Sequence, residues 1–394
     1  MALRTTAGRQ LRYPATMDHG LAPRTAGLAL ACALAGSVAQ AGPALTFEGG
    51  AEGDTNVQRV ETGAGLDTSR IAAGVVRLGG RFERRGTLWG GGLSAIGGFL
   101  TRVVGNTEAS TENVLLLTGD VRYLRPIAER NASLGVALVG ADVGERARAD
   151  LVRDRPCVGA DALLVLDGGP DRRLTLGFGI RDFTYKQNHD FDWTGPAATA
   201  RFDDTLWEPS GGARSLVLAA YVGFEARSYE SSALANACMP DAEPRDTCSA
   251  GTSLQRRDRS TRLGADLTYA GRVVAGAGYQ LTVIDSNSYG QALVRHKATL
   301  SATAPLPWGM FATGLATLQL DQYPDGLVIK TDNQQREFTS LDDENRSSLQ
   351  LRLGKPVTDA WSLEARAAIW RNLGGDTETS FRRASIYAGA IYAR

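Results

Sequence analysis

Three histidines limit the chemistry available to this chain: His19, His189 and His296. Acyl hydrolysis needs a Ser/His pair with a third polar group to orient the base. No GxSxG occurs, and neither His189 nor His296 lies among serines. In QNHDFDW, Asp190 follows His189, the pairing an Asp/His protease would use, but the same residues make an ordinary polar loop. His296, in ALVRHKATL, shares a face with Val294 and Ala298. The chain therefore reads as non-enzymatic. No Cys/His spacing resembles a zinc site, and nothing calls for a cofactor. Cys238 and Cys248 flank the polar run MPDAEPRDT and suit a loop disulfide in an oxidising compartment. Cys157 has no evident partner.

The charged residues say more. Opposite charges recur two positions apart, as in Asp120/Arg122, Glu225/Arg227 and Glu364/Arg366. Two apart is one face of a strand. Continuing each alternation puts Arg181, Arg262, Asp266 and Arg352 on the same polar face, with Arg77, Arg81, Arg295, Lys297, Glu48, Glu52, Asp54 and Asp161. Positive and negative charges nearly cancel. Such a wall argues against strong ion selectivity and suits neutral, hydroxyl-rich solutes.

Strands must present that face. In NRSSLQLRLGKPVTDAWSLEARAAIWRN, Leu349, Leu351 and Leu353 alternate with Ser348, Gln350 and Arg352. After the KPVTD break, Trp361, Leu363, Ala365, Ala367 and Ile369 alternate with Ser362, Glu364, Arg366 and Ala368. A period of two is a strand with one apolar face, and Pro and Asp suit the turn. The same pattern yields about sixteen strands, near 44–58, 70–83, 87–103, 111–124, 131–143, 157–167, 171–187, 197–206, 213–229, 259–270, 272–285, 291–304, 308–322, 344–354, 359–371 and 383–393. Short connections (ERRG, RPIAER, DGGP, EPSGG, AG, LPW, KPVTD) alternate with longer polar ones such as the cysteine loop 230–258. The expected fold is an all-β transmembrane antiparallel barrel of 14–18 strands, with short periplasmic turns and longer extracellular loops. Outer-membrane lipid then covers the leucine face, and closure satisfies every backbone polar group. Loops 230–258 and 188–197, and the YPDGL segment, are candidate plugs of the lumen.

Composition and the N-terminus fit this class. Formal net charge is zero, which favours no nucleic-acid partner, and no apolar run is long enough for a membrane-spanning helix. GLALACALAG, preceded by Arg24 and followed by SVAQA, has the form of an export signal. Residues 1–41 are expected to be removed after Ala41, leaving 42–394 as one barrel domain, with Met17 as a second candidate start.

In the last strand, RRASIYAGAIYAR carries Tyr387, Gly389 and Tyr392 and resembles the C-terminal signal read by the barrel-assembly machinery, departing from it at Arg394. As a whole, through EGDTNVQRVETG, DSNSYGQALVRHKATL and the NRSSLQLRLG hairpin, the chain resembles proteobacterial outer-membrane barrels encoded with surface-polysaccharide machinery. That resemblance implies a conduit for a polymer, served by a separate periplasmic polysaccharide-export protein. A passive porin and a structural barrel anchoring an envelope or motility complex are the alternatives.

Overall fold

In the computed structural model, the described residues are 44–59, 62–63, 69–127, 131–145, 155–169, 171–184, 189–209, 214–237, 249–324, 346–372 and 379–394. The signal segment, Cys238 and Cys248 lie outside them. Sixteen strands form one closed barrel: β1 (Ala44–Asp54), β2 (Ala73–Leu88), β3 (Gly91–Val104), β4 (Val114–Pro126), β5 (Ala132–Glu145), β6 (Arg155–Asp167), β7 (Arg172–Phe183) and β8 (Trp193–Trp207), followed by β9 (Ser215–Asn236), β10 (Ser249–Ala270), β11 (Val274–Ser286), β12 (Leu293–Pro305), β13 (Phe311–Gln322), β14 (Ser347–Pro356), β15 (Trp361–Arg371) and β16 (Arg382–Ala393). Each strand pairs antiparallel with its sequence neighbours, and β1 pairs with β16 from Thr46↔Ala393 to Asp54↔Ser385. Leu45 and Arg394 exchange both backbone hydrogen bonds, at 2.8 and 2.9 Å, so the seam runs to the last residue.

Large apolar side chains project outward all round. Ile386 (71%), Phe178 (63%), Leu349 (57%) and Leu134 (54%) are more than half exposed. Burying one such side chain is worth about 1.5–3 kcal/mol, so a continuous belt of them in water would be strongly unfavourable. Their cover is lipid, and the strands, 10 to 22 residues long, reach or exceed the roughly 9–11 residues a tilted crossing needs. The chain is therefore a multi-pass outer-membrane β-barrel. Trp207 and Trp361, with the turn residues Trp89 and Trp308, cluster at the short-turn end and are exposed, where an interfacial girdle belongs.

Two expectations need correcting. ERRG is not a turn. β2 runs on to Leu88 because Glu83 bridges Arg81 (3.3 Å) and Arg85 (2.6 Å) along one face. The chain reverses instead at Trp89 (φ 47°) and Gly90 (φ 77°), the left-handed pair that matches strand twist in a two-residue hairpin. Nor is 230–258 wholly a loop. Residues 230–236 and 249–258 extend β9 and β10 to 22 residues each. This extension stands above the apolar belt, so nothing there forces a period of two. It is held sideways by the next loop instead: Tyr289 donates its N–H to the Leu234 carbonyl (2.9 Å), and Leu234 N–H donates to Ser288 Oγ (3.0 Å). β8 is present from Trp193, earlier than the expected 197, with Pro196 accommodated inside it.

At the seam, the Tyr387 ring lies flat over glycines on its own strand and on β1. A Cβ on Gly50 would come within 2.6 Å of the Tyr387 ring, and one on Gly389 within 2.5 Å of the Gly49 carbonyl. Gly53 has open space around it. Gly389→Val is expected to destabilise the folded barrel by about 1–3 kcal/mol, seen as a lower unfolding midpoint on heat-modifiable gel mobility. Gly53→Ala should leave the midpoint unchanged.

Candidate functional site

The inner face carries the polar residues that alternate with the lipid belt, and it holds all the charge-bearing positions expected from sequence. Nine of the ten pore-lining candidates fall into two groups and one pair. On β6, β7, β9 and β10, Arg181 binds Asp161 (2.6 and 2.9 Å), while Glu225 accepts from Arg227 (3.1 and 2.8 Å) and from Arg262 (3.1 Å). On β14, β15 and β1, Arg352 and Arg366 both engage Glu364, and Arg366 also reaches Glu48 at 2.7 Å. The Asp120–Arg122 pair stands apart on β4, with contacts of 2.9–3.2 Å. Asp266 faces inward beside Gly278. The three pairs spaced i, i+2 in the sequence all form.

The tightest charge cluster includes residues that sequence reading passed over. Glu52 and Asp54 on β1 are met by Arg77 (3.0 Å), Arg102 (3.1 Å to Asp54) and Arg383 (3.0 Å to Glu52, 2.8 Å to Asp54). The side chains of Asp54, Glu52, Arg102 and Arg383 are 0–2% exposed. Arg102 lies opposite Arg77 and Arg383 opposite Trp370, which puts both on the inward register of strands that carry no other inward charge.

What buries these charges is an apolar layer on the inner register, at the end of the barrel opposite the short turns. Val75 and Val104 face inward and pack with Val57 and Ala109 from the two neighbouring outer loops. Phe183, Trp193 and Tyr229 form a second cluster, joined by Phe191 from the loop before β8. Ala368, Trp370 and Phe381 form a third. From the outer loops after β1, β3, β7 and β15, Val57, Ala109, Phe191 and Phe381 thus pack into the mouth on inward apolar residues. Of the candidate plugs, 188–197 is strand from Trp193 on, with Phe191 packed inward before it, the described part of 230–258 is almost all strand, and of YPDGL only Tyr323 and Pro324 are among the described residues. The missed signal was aromatic residues in phase with charges: Tyr229 with Glu225 and Arg227, and Trp370 with Glu364 and Arg366. Guanidinium groups cap these rings, with Arg256 4.0 Å from the Tyr229 centroid, Arg383 4.3 Å from Trp370 and Arg227 4.7 Å from Trp193.

The Asp-Thr/Ser-Asn stretches mark strand tops and act as clamps. Ala384 N–H donates to Thr55 Oγ1 (2.8 Å), and Asn56 Nδ2 donates to the Arg382 carbonyl (3.2 Å). Arg257 N–H donates to Asn287 Oδ1 (2.7 Å), and Asn287 Nδ2 donates to the Gln255 carbonyl (2.9 Å). In each case the Asn side chain prolongs the ladder beyond the last strand residue. His189 does not pair with Asp190; its Nδ1 lies 2.8 Å from Asp192 on an exposed outer loop. His296 is on the lipid face as expected, 2.7 Å from the Tyr279 hydroxyl. Among the described residues no group of three or more His, Cys, Asp or Glu is arranged for a metal.

No family model matches this chain, and no curated protein matches it. Solved structures similar to it include a bacterial polysaccharide outer membrane secretin (9% identity, TM-score 0.41, covering 89% of this chain and 97% of that one). Acinetobacter baumannii OccAB4 (8%, 0.46, 90% and 99%) and a TodX monoaromatic hydrocarbon channel mutant (10%, 0.39, 90% and 90%) are others. Assignment to the outer membrane rests on the barrel's own closure and apolar belt.

Two outcomes are expected. Arg102→Ala leaves buried Asp54 short of one partner and should cost about 3–5 kcal/mol in urea unfolding. Arg172→Ala removes an exposed pair with Asp204 (3.2 Å) and should cost under about 1 kcal/mol. Hydrogen bonding and attraction from Asp192 raise the His189 pKa above its ordinary value. The pair is therefore fully formed below that ordinary value and is lost as pH rises through the raised one. NMR titration should show the upward shift, and Asp192→Asn should reduce it, Glu230 and Asp190 still contributing.

Proposed function

We propose that the barrel is a passage for uncharged, hydroxyl-rich solutes, and that its cargo is a surface polysaccharide leaving the cell. One observation carries this reading: the inward charges are bound in opposite-sign pairs, so the wall presents little net field to an ion. The same ten residues offered by the sequence (Asp120, Arg122, Arg181, Glu225, Arg227, Arg262, Asp266, Arg352, Glu364 and Arg366) then line the passage and hold its shape. A periplasmic export protein would meet the short-turn end, where Trp89 and Trp308 stand 81% and 86% exposed. A passive porin for small polar solutes is the second reading. It is favoured by connections at that end as short as the two-residue Trp89–Gly90 turn, which offer a partner little surface.

Single-channel recording in a planar bilayer tests the proposal. Under a salt gradient the reversal potential should lie near zero, and strong selectivity for either ion would overturn the reading. A large steady conductance would favour the porin. A small one that rises when the proposed Cys238–Cys248 bridge is reduced would favour the export conduit.

A further inference from the structure

Charged side chains crowd the inner wall on β1–β3, on β6–β10 and on β14–β16, but one panel of the wall is built differently. On β11, β12 and β13, in the half nearer the short turns, the inward positions are glycine and hydroxyl together with three apolar residues, Val274, Phe311 and Leu315, the last opposite Ser301. The register stacks them in rows: Gly278 opposite Thr299 opposite Thr317, and Val274 opposite Thr303 opposite Thr313. Between these rows, Gly276 lies opposite Ser301. We infer that this panel, centred on Thr299, Ser301, Thr303, Thr313 and Thr317 with Gln280 above it, is a docking track for the sugar rings of a neutral glycan. The inference rests on the glycan reading given above and says where in the lumen the chain is held.

Three physical features support the track. Ser301 is exposed and its threonine neighbours half-buried, whereas the Glu52–Asp54–Arg102–Arg383 cluster near the mouth is sealed away. A solute can therefore reach the hydroxyls but not the buried charges. Gly276 carries no side chain, so the wall is recessed beside Ser301, while the space over Gly278 is taken by the Asp266 carboxylate and Thr299 Oγ1. A Cβ at Gly276 would stand 2.9 Å from Ser301 Oγ, and one at Gly278 would stand 2.7 Å from Thr299 Oγ1. Finally, the hydroxyls form a lattice, about 6.7 Å apart along a strand and about 4.8 Å across strands. A sugar ring carries several hydroxyls, each a donor and an acceptor, and a lattice of groups with the same dual capacity can exchange partners as the chain slides. Thr303 Oγ1 and Thr313 Oγ1, 2.8 Å apart, show that such groups already bond to one another across strands. A charged wall would instead bind ions and hold water. The long aliphatic side chains seen on the lipid face would offer no partners.

The test is maltohexaose blockade of single-channel current in the full-length barrel. The panel variant is Thr299→Val/Ser301→Ala/Thr303→Val/Thr313→Val, which keeps side-chain size and removes hydroxyls. Its sugar residence time should fall on the order of tenfold or more, given the modest net worth of each hydrogen bond, with open-channel conductance at the wild-type value. A second variant, Thr299→Ser/Thr303→Ser/Thr313→Ser, keeps the hydroxyls and should keep the blockade, which separates lost hydrogen bonding from a disturbed fold. A control triple, Thr118→Val/Thr175→Val/Thr199→Val, removes inward hydroxyls elsewhere on the wall and should not alter residence. Unchanged blockade in the panel variant, or an equal fall in the control, overturns the track. A wild-type barrel that maltohexaose never blocks overturns the glycan reading itself, a result distinct from either.

Discussion

The structure depends on closing one seam. A strand at a sheet edge carries a row of unpaired N–H and C=O groups, which hydrocarbon cannot satisfy, so the sheet must meet itself. Here that meeting is the antiparallel pairing of β1 with β16, from Thr46↔Ala393 to Asp54↔Ser385. It is reinforced from inside, where Arg383 spans from β16 to Glu52 and Asp54 on β1, and Arg366 reaches across β16 from β15 to Glu48. Tyr387 lies between these groups, with the guanidinium of Arg366 4.7 Å and that of Arg77 5.7 Å from its ring centroid. Gly50 and Gly389 let the ring lie flat because any Cβ there would meet it. Residues more than three hundred positions apart in sequence are therefore joined by backbone bonds, ion pairs and one aromatic ring at a single place.

Those internal charges would be a liability on their own. Removing an ion pair from water costs several kcal/mol per ion, returned only when geometry and hydrogen bonding are nearly complete. The Glu52–Asp54 cluster meets this with three arginines converging on two carboxylates. The inward-folded loops complete the arrangement: Val57 and Ala109 cover the charges and draw stability from their own burial. The apolar clusters that seal these charges, usually the interior of a soluble domain, lie here at the outer mouth. Inward aromatic residues and buried ion pairs are thus two halves of one construction, and each would be unfavourable without the other.

Most of the strand framework was legible because the bilayer imposes a strict period of two wherever a strand crosses it. Where that constraint lapses, so did the reading. The upper parts of β9 and β10 stand clear of lipid and carry polar or small residues on both faces, so Ser231–Asn236 and Ser249–Gln255 looked like loop. Arg84 and Arg85 looked like a turn because adjacent charges usually mark one, although Arg85 was in phase with Arg81 and Glu83. The paired charges were readable because i, i+2 spacing needs only the strand. The Arg102 and Arg383 bridges were not, since they depend on which strands become neighbours at closure. The inward aromatics went unremarked for a different reason: an apolar residue on the polar phase interrupts the alternation, and its meaning depends on an outer-loop residue packing against it.

The division of the lumen has a consequence for what can pass. An ion crossing a pore is sensed by unpaired charges, and here the upper charges are matched and sealed, so they act on shape more than on field. Rigid ion pairs also resist rearrangement: moving Arg102 away from Asp54 would strand a carboxylate in a dry site. The mouth therefore discriminates by size and contour. Below it, the proposed hydroxyl panel on β12 and β13 would discriminate by hydrogen bonding, since those groups are half-buried or exposed. A channel that selects first by contour and then by hydroxyl contact favours a chain of neutral sugar rings over a small ion. On the proposed reading an ion would find the charges already bound to one another, whereas a glycan would find repeated partners along its path.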